Sequence, residues 1–134
     1  MNVRISRDDL NRIMQAAAQR PEEEVCGLLL GRGNYVMDIL PVTNVAATPE
    51  THFELDPAAH IQAQRQARER DMRIIGHYHS HPSGLARPSP TDAARACGDG
   101  AIWLICTPAG EYHFWRAVGE GLHGQFQPIA AEII

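Results

Sequence analysis

The run Val25 to Gly31, Val-Cys-Gly-Leu-Leu-Leu-Gly, is apolar almost without a break. A short run of this kind reads as a strand buried on both faces at the centre of a sheet. Such a strand must be covered above and below, so the chain has to supply helices that pack on the sheet. Ser6 to Gln19 reads as the first helix: Ser6 caps it with Asp9 three residues on, Leu10, Ile13, Met14 and Ala17 form one apolar stripe, and Pro21 ends it. Asp56-Pro57 is an N-cap and first-turn pair that opens a second helix, to about Arg70. Ser89-Pro90-Thr91-Asp92 opens a short third helix that ends near Gly98. Further strands are expected at Tyr35 to Val42, Arg73 to Ser80, Ala101 to Thr107 and Glu111 to Val118, with a weaker one within Gln125 to Ile133. Thr43 to Asp56 and the Pro/Gly-rich His81 to Pro88 are loops. The expected fold is α/β (α+β), a mixed sheet flanked by helices. Residues 1–134 form one domain, with no repeat and no linker.

Charge and cysteine content narrow the function classes. Twelve Lys and Arg against sixteen Asp and Glu leave a formal charge of −4. Phosphate-backbone binding needs clustered cations, so nucleic acid is not the expected partner. The acidic cluster Glu22-Glu23-Glu24 is too short for an interaction tail. The opening residues MNVRISRDDL lead into no apolar segment of a signal peptide, and no run approaches the ~18 apolar residues of a membrane span. A cytoplasmic protein without membrane contact is expected. Cys26, Cys97 and Cys106 show neither metal-binding spacing nor a disulfide framework and are expected to be buried thiols.

The segment Gly76-His77-Tyr78-His79-Ser80-His81-Pro82, followed by Ser89 and Asp92, carries chemistry. Side chains alternate along a strand, so His79 and His81 face the same way and can share one metal ion. The loop after His81 can turn the chain back and bring the Asp92 carboxylate to that ion. Two histidines and one carboxylate leave the fourth position of a zinc open to water, as in a catalytic site. Hydrolysis also needs a proton shuttle and an oxyanion donor. Glu24, just ahead of the buried strand, is the candidate shuttle if its strand neighbours that of His79. Ser89 is the candidate donor.

Glu24, then His79-Ser80-His81, seven residues, Ser89, two residues and Asp92 resemble the motif of the JAMM (MPN+) zinc metalloprotease family. The flanking Glu-Val-Cys-Gly-Leu-Leu-Leu-Gly, Phe53-Glu54-Leu55-Asp56-Pro57 and Gly-His-Tyr-His-Ser-His-Pro are similar to it as well. The resemblance implies an MPN/cytidine-deaminase-like fold. It implies one zinc per chain on His79, His81 and Asp92, with Glu24 as general acid/base and Ser89 supporting the oxyanion. It also implies cleavage after the C-terminal Gly-Gly of ubiquitin-like proteins. The short stretch from Asp92 to Ala101 leaves no room for the second insertion with which deubiquitinating relatives grip a second ubiquitin. The compact form resembles the prokaryotic branch, whose members trim small sulfur-carrier proteins, so a carrier of that kind is the expected partner.

Several residues have two readings. His77 shares the face of His79 and either ligates or packs beside it. His52 and Phe53 either line a groove for an extended substrate tail or anchor their loop. Trp103 and Trp115 read as core. The tail itself is expected to add as a strand along an exposed edge of the active-site sheet. Two other functions compete with the peptidase: a metal-less MPN scaffold, and a DNA-associated protein similar to the RadC family through His81-Pro82-Ser83-Gly84. The intact Glu24, His79, His81 and Asp92 argue against the first, and the acidic charge argues against the second.

Overall fold

The computed structural model describes residues 2–134. In chain order the elements are β1 (Val3–Ile5), α1 (Arg7–Gln19), β2 (Cys26–Arg32), β3 (Tyr35–Val42), α2 (Pro57–Glu69), β4 (Arg73–Ser80), α3 (Pro90–Arg95), β5 (Ile102–Cys106), β6 (Tyr112–Leu122), β7 (Phe126–Ile129) and β8 (Ala131–Ile133). One eight-stranded mixed sheet has the order β7-β6-β5-β4-β2-β3-β1-β8. As the apolar run requires, β2 is central and buried from Cys26 to Gly31. It pairs antiparallel with β4, Cys26 opposite His79 and Leu28 opposite His77, while β4 pairs parallel with β5.

The two faces of the sheet differ in cover. Leu29, Tyr78, Ile102, Leu104 and Cys106 share a core with Leu10, Ile13 and Ala17 of α1. Leu28, Leu30 and Val42 pack on Ala63 and Ala67 of α2. Trp103, Ala117 and Phe126 pack with Ala93 and Ala96, in and just beyond α3. By alternation, His77 and His79 project on the side of α2 and α3. The expected caps are present: Asp9 N donates to Ser6 Oγ at 3.0 Å, and Ala58 N to Asp56 Oδ1 at 3.0 Å.

Four features depart from the sequence reading. The segment Gln125 to Ile133 is two strands, and they serve opposite edges: β7 pairs with β6, and β8 pairs parallel with β1. Only Ala130 separates them, and consecutive Cα atoms lie ~3.8 Å apart. The chain thus crosses from one edge of the sheet to the other at Ala130, and Ile129, Ala131 and Ile133 pack on the core that α1 covers. Second, β4 is paired on both sides, and the edges β7 and β8 lie three and four strands away; a substrate tail cannot add beside the strand that carries His79. Third, α3 stops at Arg95, because Ala96 turns extended and Gly98 and Gly100 take positive φ. Fourth, Cys97 is exposed, whereas Cys26 and Cys106 are buried.

Candidate metal centre

β4 delivers His79 at its last turn of pleat and His81 just past its end. α3 brings Asp92 to them through its N-terminal capping box: Asp92 N donates to Ser89 Oγ at 3.1 Å, and Ser89 N donates to Asp92 Oδ2 at 2.9 Å. The same Oδ2 lies 3.2 Å from His79 Nε2 and 3.1 Å from His81 Nε2, and the two Nε2 atoms are 3.0 Å apart. All three side chains are buried. A Glu24 carboxylate oxygen stands further back, within 4.8 Å of ligand atoms of both histidines. The structure thus brings Glu24, His79, His81, Ser89 and Asp92 to one place.

One carboxylate oxygen and two imidazole nitrogens, 3.0–3.2 Å from one another, are spaced to share a cation once the nitrogens are deprotonated. His81 Nδ1 donates to the Leu85 carbonyl at 2.8 Å, which turns the Nε2 lone pair toward Asp92 and His79. Ligand atoms of a tetrahedral metal with bonds of ~2.0–2.1 Å lie ~3.3 Å apart, close to the spacing observed here. The donor set fits a divalent metal with one position left for a ligand.

Burial drives the pKa shifts and Asp92 reverses some of them. Burial pushes the Glu24 carboxyl up to about 7, although His81 opposes it. Burial pulls His79 down, so its imidazole stays neutral. Burial also works against a proton on His81, but the hydrogen bond and charge of Asp92 outweigh it and its pKa rises. Asp92 is held well below the usual carboxylate range: the hydrogen bonds from His79 and His81 overcome its burial. The ionised Asp92 and the neutral His79 are in the forms that bind metal, and His81 would give up its proton on binding. Burial takes His77 down to about 3, and its ring packs edge-on against Trp103 at 4.2 Å between centroids.

Phe53 is buried and stacks on His79, with centroids 4.3 Å apart and planes at 21°. Its ring also lies 5.4 Å from that of His77. His79 Nδ1 has no hydrogen-bond partner, so on that side of the ring the stacking on Phe53 holds the imidazole, while Nε2 faces Asp92 and His81. His52 turns to its own loop, its Nδ1 within 3.1 Å of Thr48 Oγ1 and 2.8 Å of Thr51 Oγ1. The guanidinium of Arg95 covers the Phe53 ring at 5.7 Å and donates to the Phe53 carbonyl.

Two residues that motif spacing does not reveal hold Glu24 in place. The Asn44 side chain donates to the carbonyls of Glu24 and His52 at 2.8 and 2.9 Å and accepts from the amides of Ala46 and Glu54. One amide thereby joins the shuttle candidate to the loop that carries Phe53. Ser80 Oγ accepts from Val25 N at 2.9 Å and donates to the Glu23 carbonyl at 3.4 Å, so β4 grips the chain on both sides of Glu24.

The family described as prokaryotic homologs of the JAB domain matches residues 6–118. A desampylase of Haloferax volcanii is 38% identical over 110 residues, 79% of each chain. A CysO-cysteine peptidase of Mycobacterium tuberculosis is 31% identical over 106 residues, 77% of this chain and 72% of that one. The solution structure of a Desulfitobacterium hafniense protein, 24% identical, superposes with a TM-score of 0.85 over 98% of this chain and 92% of its own. Among the described residues, no helix is long and apolar enough to cross a membrane.

Proposed function

Because the chain belongs to the family of prokaryotic JAB-domain homologs, we propose that it is a zinc peptidase that cuts after the C-terminal Gly-Gly of a small ubiquitin-like sulfur-carrier protein. The observation that carries the reading is the meeting of Asp92 Oδ2 with two imidazole nitrogens at 3.1 and 3.2 Å, with the Glu24 carboxyl behind. His79, His81 and Asp92 would hold one zinc ion. Zinc supplies Lewis acidity and a water acid enough to attack at neutral pH. Glu24 takes the proton of the attacking water and returns it to the leaving amine; a carboxyl tuned to about 7 suits both steps. Ser89 Oγ accepts from Asp92 N and keeps its own proton free to donate to the developing oxyanion.

The substrate class follows the relatives, one a desampylase and another a CysO-cysteine peptidase. Between α3 and β5 there are only six residues, 96–101, which supports a single carrier in place of a ubiquitin chain. Three free cysteines support a cytoplasmic setting. The test is a carrier that ends in Gly-Gly plus one residue, incubated with enzyme and followed by mass spectrometry. Cleavage after Gly-Gly, abolished by a chelator and restored by zinc, is the expected result. Efficient cleavage of the same carrier with Val-Val in place of Gly-Gly would refute the substrate reading.

A further inference from the structure

Beside the metal centre, bordered by His81 and Ser89 and not by Glu24, a cavity of about 290 Å³ opens between the loop 81–90 and the turn that joins β6 to β7. Its far wall is deliberately placed. The β6–β7 register shifts between Ala117 and Leu122, which carries the turn over toward the loop. His123 takes a left-handed φ of 54°, uncommon for a side-chain-bearing residue and kept only where contacts hold it. Its Nε2 lies 3.1 Å from the Pro88 carbonyl and stitches the two walls together.

Leu85, Pro88 and Leu122 give the cavity apolar walls, and Arg87 stands in its lining. Among the described residues Arg87 forms no ion pair. An unpaired guanidinium beside a bond-cleaving centre is a carboxylate receptor in waiting, because its planar donor fork matches a carboxylate. Pockets for drug-sized ligands run from about 300 to 1,000 Å³. This one is at the small end, right for a single residue and not for a folded protein. Two leaving groups then compete. A lysine side chain in an isopeptide bond brings methylenes and no anion near the departing nitrogen. A single amino acid in α-linkage places its free carboxylate two bonds from that nitrogen.

We infer that this cavity is the leaving-group subsite and that Arg87 reads the α-carboxylate of a single amino acid released from the carrier's C-terminus. The inference rests on the peptidase reading above and refines it. The bond broken is the amide between the carrier's last glycine and that amino acid. Water's hydroxyl goes to the glycine carbonyl and its proton to the amine, which leaves a Gly-Gly carboxylate and a free amino acid.

The experiment uses a ubiquitin-fold carrier ending in Gly-Gly-Ala with a free carboxylate and the same carrier ending in the alaninamide. For the wild-type enzyme, kcat/KM for the acid exceeds that for the amide by roughly tenfold, the range of one partly exposed charge-assisted contact. Arg87→Gln brings the ratio near one, and Arg87→Lys retains part of it. Equal cleavage of acid and amide by the wild type, or an unchanged ratio in Arg87→Gln, overturns the inference and leaves the Gly-Gly reading standing. Cleavage of neither carrier overturns both.

Discussion

Glu24 is an acid that water scarcely reaches, and this ties its use to its effect on stability. Its folded pKa of about 7 lies above the 4.5 of an ordinary glutamate, so between those values the folded chain binds a proton that the unfolded chain has released. Its contribution to stability therefore falls as pH rises from 4.5 to 7. His77 and His79 act oppositely, since burial lowers both, so the comparison must be between variants. In metal-free protein, Glu24→Gln should match wild type near pH 4.5 and gain on it steadily up to pH 7 in urea unfolding; a pH-independent difference would contradict the shift. With zinc present, the same variant should keep about one metal per chain and lose roughly 10²–10⁴ in kcat. Glu23→Gln should keep the metal and show neither the pH-dependent gain nor the loss of kcat, since Glu23 pairs with Arg20 at the surface. His79, His81, Ser89 and Asp92 were legible because a strand period and a capping box place them, and Glu24 because it stands just ahead of the buried strand, as in the family it resembles. Asn44, Ser80 and Arg95 were not. Their partners lie 20, 55 and 42 residues away, and no local spacing encodes such contacts.

Between elements, one side chain carries much of the site's rigidity. Asn44 fills all four of its hydrogen-bonding positions, and two of those partners are the backbones of Glu24 and His52. Asn44→Ala strands two carbonyls and two amides in a partly buried place, which should destabilise the protein by about 2–4 kcal/mol. Metal content should stay at one per chain, because none of the three proposed ligands is touched. Turnover should fall mainly in kcat, because the Glu24 carboxyl loses its fixed approach. Asn44→Asp, which can still accept from Ala46 and Glu54 but sets an oxygen against the Glu24 and His52 carbonyls, should not recover the stability. Unfolding curves, metal analysis and steady-state kinetics separate these effects; loss of metal with unchanged kcat per bound ion would contradict the clamp. Long elements announced themselves through periodicity and caps, from the stripe of α1 to the apolar run of β2. The three-residue strands β1 and β8 did not, because Val3-Arg4-Ile5 and Ala131-Glu132-Ile133 are too short to show a period.

For the molecule as a whole, the informative feature is the seam between β1 and β8, where the last strand of the sheet lies along the first. β8 runs from Ala131 to Ile133 beside Val3 to Ile5, with Arg7 N donating to the Ile134 carbonyl and Ile134 N to that of Ile5. Truncation after Ala130 should lower stability by about 2–4 kcal/mol, through lost backbone bonds and the exposure of β1. The metal stoichiometry should not change, because Glu24, His79, His81 and Asp92 lie on β4, α3 and the chain entering β2. Unfolding and metal analysis of the truncated chain test this, and a truncated protein that no longer binds metal would show that the site needs β8 in place. The seam also has a meaning in time. During synthesis the residues of the metal centre, on the chain entering β2, on and just past β4 and on α3, all emerge before β8, the neighbour of β1. The nascent chain can shape its reactive pocket while one border of the sheet still lacks its neighbour. In that interval the side of β1 that β8 will cover is open to any passing strand, so the hazard of mispairing falls on β1 and ends only when β8 arrives.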